Sequence, residues 1–244
     1  MEELNSYIEI GTNKTKNKVF KTFLLSIMAG FLIALAGYGS TVVSFSISNT
    51  SIAKLLSALI FPMGLILVIL LKTELFTGNS LLIIPLVNKK ISFKSLLLNW
   101  VLVYIGNFIG SILLSLLVYK SGSLTNETLI NTFVSIANKK INYSFINLLI
   151  LGCLCNMLVC TAVFLGVTSK NILEKIFVIF IPIFLFVLLG FEHSVANMFY
   201  LSIASLLGKL DFINLIIGNL LPVTLGNILG GILIGLIFNY TKSK

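Results

Sequence analysis

The chain holds a single histidine, His193, set in an otherwise apolar run within the segment G-F-E-H-S-V-A-N (190–197). With an unperturbed pKa of about 6.5, imidazole is the side chain best suited to reversible proton exchange near neutrality. Ionisable residues at membrane depth are costly and mark pathways by default, so His193 is a candidate pore residue. Glu192 and Ser194 flank it and invite a hydrolase reading. Three consecutive residues cannot converge on one substrate atom as a catalytic triad must. No HExxH and no second histidine supports a metalloprotease either. An enzyme is therefore disfavoured. Cys153, Cys155 and Cys160 share one apolar run, match no zinc spacing and read as small buried hydrophobes. No metal or cofactor is expected. A second polar interruption, K-T-E-L-F-T-G-N-S (72–80), brings Thr77 to mid-run, where its hydroxyl is a second candidate pore contact.

The elements that must carry these residues are membrane helices. Hydrophobic residues make up 57% of 244 positions and charged ones 10%, against about 45–50% and about 25% in soluble domains. Too few charges exist to coat a soluble surface, and the long continuous apolar runs exclude an alternating β-barrel. The reading is an all-α membrane protein with spans over 22–46, 55–87, 96–119, 145–167, 176–207 and 212–238. Six spans place both termini on one side. Lys14, Lys16, Lys18, Lys21, Lys89, Lys90, Lys94, Lys170, Lys175, Lys242 and Lys244 then share a face, against Lys54, Lys120, Lys139, Lys140 and Lys209 opposite. That asymmetry puts the termini in the cytoplasm. It also accounts for the net charge of +9 without nucleic acid. Every basic residue is lysine, a bias that fits an AT-rich bacterial source and hence the bacterial cytoplasmic membrane. Residues 1–20 form either a solvated tail or a short interfacial helix with Leu4, Tyr7 and Ile8 on one side. Residues 21–238 form the channel domain, and 239–244 a cytoplasmic tail.

The chain is duplicated. I-G-N-F-I-G-S-I-L-L-S-L-L from Ile105 matches L-G-N-I-L-G-G-I-L-I-G-L-I from Leu225, a shift of 120 residues that also takes Pro62 to Pro182. Repeat one covers about 21–120 and repeat two about 144–238. Three spans per repeat force the copies into opposite orientations, an arrangement of transporters and channels with the pathway at the repeat interface. The second and fifth spans are broken by the polar segments around Thr77 and His193. Backbone interrupted at that depth is tolerated only where protein or a watery cavity covers it, and free N–H groups at a half-helix start favour anions. Gly106, Gly110, Gly226 and Gly230 serve close helix packing, and Asn107 and Asn227 bridge helices.

The segments F-P-M-G-L (61–65), E-L-F-T-G-N (74–79), C-N-M-L-V-C (155–160) and G-F-E-H-S-V-A-N-M (190–198) resemble the formate/nitrite transporter family in order and spacing. The resemblance implies an aquaporin-like protomer in a homopentamer, each protomer with its own pore for small monovalent anions or their conjugate acids. Formate leads, with nitrite, hydrosulfide and short carboxylates open. It further implies a pore centre at His193 and Thr77, with Asn156, Asn197 and Glu192 beside the pathway. Phe61, Leu65, Leu75, Phe76, Val159 and Phe186 match two apolar constrictions, and Lys140 an outer vestibule. Lys72 departs from the pattern, which calls for a small or apolar residue there. A bare anion in a greasy constriction faces a large Born penalty, so protonation near the centre would let the neutral acid pass. Either His193 supplies that proton or it stays neutral and bulk water supplies it through the vestibule. A water or neutral-solute channel on the same plan would have no use for His193.

Overall fold

The computed structural model describes residues 1–242, so Lys244 lies outside the described residues. Ten helices carry the fold among those residues. The first five are α1 (Glu2–Lys16), α2 (Val19–Ser44), α3 (Thr50–Leu70), α4 (Phe76–Val87) and α5 (Phe93–Lys120). They recur in order as α6 (Glu127–Ile141), α7 (Phe145–Thr168), α8 (Ile172–Leu189), α9 (Ser194–Leu206) and α10 (Ile213–Lys242). Six of them, α2, α3, α5, α7, α8 and α10, are long and apolar enough to cross a membrane. The chain is thus a multi-pass membrane protein of two inverted repeats, and the fourth and ninth helices are the second halves of the broken spans.

Short polar side chains start half of these helices. Asn49, Ser92, Asn126, Ser144 and Asn171 each accept hydrogen bonds from the first-turn N–H groups that the helix itself cannot satisfy. Pro62 kinks α3 behind Phe61. Outward faces are apolar: Val101, Ile105, Ile109, Leu113 and Leu117 form an exposed stripe along α5 at a spacing of four, suited to lipid and to no aqueous surface.

Within each repeat the outer helices meet at backbone distance. A methyl group on Gly110 would overlap the Ile27 carbonyl of α2, and one on Gly230 would overlap the Cys153 carbonyl of α7. The glycine pattern noted in the sequence therefore seats α5 on α2 and α10 on α7.

The ends of the chain lie on one face. Glu3 pairs with Lys242, the last described residue, and Glu2 pairs with Lys170 at 2.8 Å. Residues 239–242 continue α10 as helix. The first residues fold as the helix α1, which buries Leu4 and Tyr7, and the Tyr7 ring lies 5.5 Å from that of Phe164. Its counterpart α6 likewise buries Leu129, Phe133 and Ala137.

Candidate functional site

The two breaks are built alike. At the first, α3 ends at Leu70, and the chain turns through Lys72 (φ 54°) before α4 starts at Phe76. At the second, α8 ends at Leu189, turns through Gly190 (φ 73°) and restarts at Ser194. Both are helix stops closed by a left-handed residue just past the end, Lys72 two places after Leu70 and Gly190 directly after Leu189. They are shorter than the polar segments suggested, because Thr77, Gly78 and Asn79 belong to the first turn of α4.

One asparagine braces each break. Asn107 accepts from the Phe76 N–H (2.9 Å) and donates to the carbonyls of Ser26 (2.7 Å) and Glu74 (2.9 Å). Asn227 accepts from the Ser194 N–H (2.9 Å) and donates to Gly152 (2.8 Å) and Glu192 (3.0 Å). Both side chains are fully buried. Backbone groups freed by the interruption are thus met by protein, as a low-dielectric setting demands. They are not all left free for an anion, contrary to the simplest reading of a half-helix start.

His193 takes part in the same economy. Its Nδ1 accepts from the Ala196 N–H at 3.1 Å, which makes the imidazole the N-cap of α9. An atom that accepts there carries no hydrogen, so a neutral ring holds its proton on Nε2. Nε2 lies 2.9 Å from Thr77 Oγ1 and donates to it. The Phe186 ring stacks over the imidazole at 5.9 Å, and both His193 and Thr77 are buried.

Carboxylate clusters flank the pair on both sides. On the face away from the termini, Glu192 receives Lys140 Nζ at 3.0 and 3.1 Å and Asn197 Nδ2 at 2.6 Å. Asn197 also donates to Asn219 (2.7 Å), and Asn219 donates back to the Lys140 carbonyl (2.9 Å), closing a ring. On the termini face, Glu74 receives Lys14 at 2.8 Å and Asn79 at 2.8 Å, and Asn79 donates to Asn99 at 2.9 Å. Both lysine–carboxylate pairs are largely covered, with side-chain exposures of 20% and 3% for Lys14 and Glu74 and of 14% and 5% for Lys140 and Glu192. This second cluster is absent from the sequence-based candidates.

A cavity opens beside each cluster. One of about 220 Å³ is lined by Phe61, Phe186, Glu192, His193, Asn197 and Lys140. One of about 560 Å³ on the termini face is lined by Lys14, Val68, Lys72 and Glu74. Phe61, Leu65 and Val68 follow one another along a single face of α3 from the first cavity to the second, all buried. Phe61 meets Phe186 edge to face at 5.6 Å. Leu75, Phe76 and Val159 are buried and line neither cavity, and the Phe76 ring packs edge-on against Tyr104 at 4.9 Å. Asn156 ties the repeats together, its amide donating to the carbonyls of Thr77 and Asn227, while its own side-chain carbonyl oxygen and that of Asn197 are buried with no hydrogen-bond partner among the described residues. Cys160 donates to the Thr77 carbonyl at 3.4 Å.

This arrangement has counterparts. Residues 1–241 match the pattern described as "Formate/nitrite transporter". The chain belongs to the formate/nitrite transporter family. It is 34% identical to the protein named "Formate channel FocA" of Haemophilus influenzae over 98% of this chain and 93% of that one. It is 37% identical to "Formate channel BtFdhC" of Bacillus thuringiensis, over 92% and 87%. Among solved structures it is similar to a "Pentameric formate channel with formate bound", with a TM-score of 0.81, 34% identity, and 93% and 98% of the two chains covered. A structure described as an "FNT family ion channel" gives a TM-score of 0.90 at 26% identity, with 98% of each covered. Family members are channels and transporters, and this one is no enzyme.

Proposed function

We propose that this formate/nitrite transporter passes formate, and other small monovalent anions, through each protomer of a homopentamer in the bacterial cytoplasmic membrane, with its termini in the cytoplasm. The decisive support is a neutral, N-capping His193 donating to Thr77 between two apolar stretches, each reached past a lysine–carboxylate cluster. Formate channels among the relatives and a pentameric neighbour support the solute and the assembly.

Lys140 and Lys14 draw the anion into either mouth, and their carboxylate partners hold the ammonium groups in place. As formate leaves water, desolvation disfavours its charged form and raises its own affinity for a proton. Hydronium reaching the mouth from bulk water supplies that proton and becomes water, and formic acid crosses the Phe61–Phe186 and Leu65 contacts and returns the proton to water on the far side. Protonating Nδ1 of His193 would break the α9 cap, so the ring acts as a fixed donor. Nε2–H orients the Thr77 hydroxyl, whose own hydrogen is left to donate to a solute oxygen. Asn156, Asn197 and Glu192 border the path, and Leu75, Phe76 and Val159 close its narrow part on the termini side.

The test is proteoliposome uptake of formate, nitrite, hydrosulfide and lactate under an inward proton gradient. Formate uptake above that of empty vesicles, rising as the outside is acidified, supports the proposal. Uptake indifferent to the gradient removes the neutral-acid step, and uptake equal to empty vesicles removes the channel reading.

A further inference from the structure

Lys72 bears a backbone strain that its counterpart avoids. It and Gly190 occupy equivalent left-handed turns, each N–H bonded three residues back, to Ile69 and Val187. Glycine adopts that conformation freely and lysine does not. The side chain placed there is exposed in the larger cavity, beside Lys21 and Lys175. Lys14, in the same cavity, is committed to Glu74 and Asn79. The side-chain ammonium groups of Lys21, Lys72 and Lys175 make no hydrogen bond or ion pair among the described residues.

The two mouths therefore differ. Four lysines face one carboxylate, Glu74, on the termini side, whereas Lys139 and Lys140 face Glu192 on the other. The charge excess of three surrounds about 560 Å³, the excess of one about 220 Å³. A small monovalent anion needs a single ammonium group. Three uncommitted ammonium groups in one cavity repel each other, and the repulsion is relieved by one ligand that carries several charges and several acceptor oxygens. Lysine is a common point-charge partner of such oxyanions, and Asn13 and Asn17 add neutral donors to the lining.

We propose that the mouth on the termini face binds a multiply charged oxyanion of the phosphate class, held by Lys21, Lys72 and Lys175, and that the bound anion obstructs entry of the monovalent solute. The binding half stands on the cavity alone, and the obstruction half rests on the channel reading above.

The full chain in phosphatidylcholine nanodiscs is titrated calorimetrically with pyrophosphate, ionic strength being held constant with potassium chloride. Saturable binding is expected, weakened by about tenfold or more in Lys72→Gly, since hydrogen bonds to charged groups carry that much free energy. Glycine suits φ 54°, so this variant keeps its turn. Heat no greater than that of chloride dilution, or equal affinity in Lys72→Gly, overturns the site. Repeating the titration in nanodiscs containing phosphatidic acid separates the sources: lost pyrophosphate binding assigns the same phosphate site to a lipid headgroup, and retained binding assigns it to a soluble anion. Formate release from proteoliposomes loaded with pyrophosphate then tests obstruction. Inhibition that weakens in Lys72→Gly supports it, and equal inhibition in both proteins overturns it. Absent formate flux in pyrophosphate-free vesicles counts against the channel reading alone, because the titration has already decided the site.

Discussion

Replacing Asn227 by leucine tests whether a single brace holds the second break. The side chains are similar in size, so packing changes little, but three buried partners lose their bond: the Ser194 N–H and the carbonyls of Gly152 and Glu192. Interhelical hydrogen bonds measured in membranes average about 0.6 kcal/mol, because the unfolded reference finds other partners, which gives a floor of roughly 2 kcal/mol for three. A buried group left unmet costs about 1–3 kcal/mol, which gives a ceiling of roughly 9 kcal/mol. The expected loss lies between these limits. Asn107→Leu should lose a similar amount, since its three bonds have the same design. Reversible unfolding in mixed micelles of increasing sodium dodecyl sulfate content reads the difference. Formate flux per folded channel should fall as well, because the Ser194 N–H that Asn227 holds is the first of the helix that seats His193. A cost below about 1 kcal/mol at either position would refute the idea that these asparagines replace the missing helical bonds.

Gly110→Val places a branched side chain against the Ile27 carbonyl; overpacking of this kind costs about 1–3 kcal/mol or more, and a variant as stable as the parent would contradict backbone contact between α2 and α5. His193→Asn keeps a cap acceptor and an amide donor but cannot titrate, so formate flux should keep its dependence on pH, whereas His193→Phe should lose the cap, worth about 0.5–2 kcal/mol in melting experiments; a flat pH profile in the asparagine variant would restore the histidine as proton carrier. On the termini face, Lys170 holds the Glu2 carboxyl below its ordinary value of 4.5. A depressed value means that this clip contributes above that pH and is lost on acidification through the lowered one. Amide exchange in the first turn of α1, corrected for intrinsic rates, should therefore quicken as the pH falls below that ordinary value in the parent more than in Glu2→Gln, and equal behaviour would remove the clip.

Much of the fold was legible because lipid imposes long apolar runs. The breaks announced themselves by glutamate, lysine and histidine where hydrocarbon forbids them. His193 and Thr77 do meet, at 2.9 Å. The matching cluster at Glu74 was missed for a specific reason. The shift of 120 residues holds at Asn107 and Asn227, but equivalent carboxylates are Glu74 and Glu192, 118 apart, so a uniform shift sets Lys72 beside Glu192 and hides the pair. At that register Pro62 answers to Phe180 rather than to Pro182. Lys14 and Lys140 are 126 apart, because the helices before each repeat differ in spacing, and α1 and α6 are too polar to stand out from loops. The one readable sign of α6 was Asn126, a capping residue ahead of Glu127. Lys72 sat unexplained inside a presumed span. It lies instead in the turn at the break, exposed at a mouth. The capping role of His193 depends on a ring nitrogen meeting an N–H three residues ahead, and residue type alone does not reveal it.

Because the chain has one histidine, nitrogen-15 labelling of that residue gives a spectrum with a single imidazole. Recorded in lipid from about pH 5 to 8, across the range where an ordinary histidine titrates, it reports directly on the two ring nitrogens. The capped, neutral ring predicts two unlike signals throughout, Nδ1 bare and Nε2 bearing hydrogen. Convergence of both to protonated positions with a midpoint near the ordinary histidine value would contradict it.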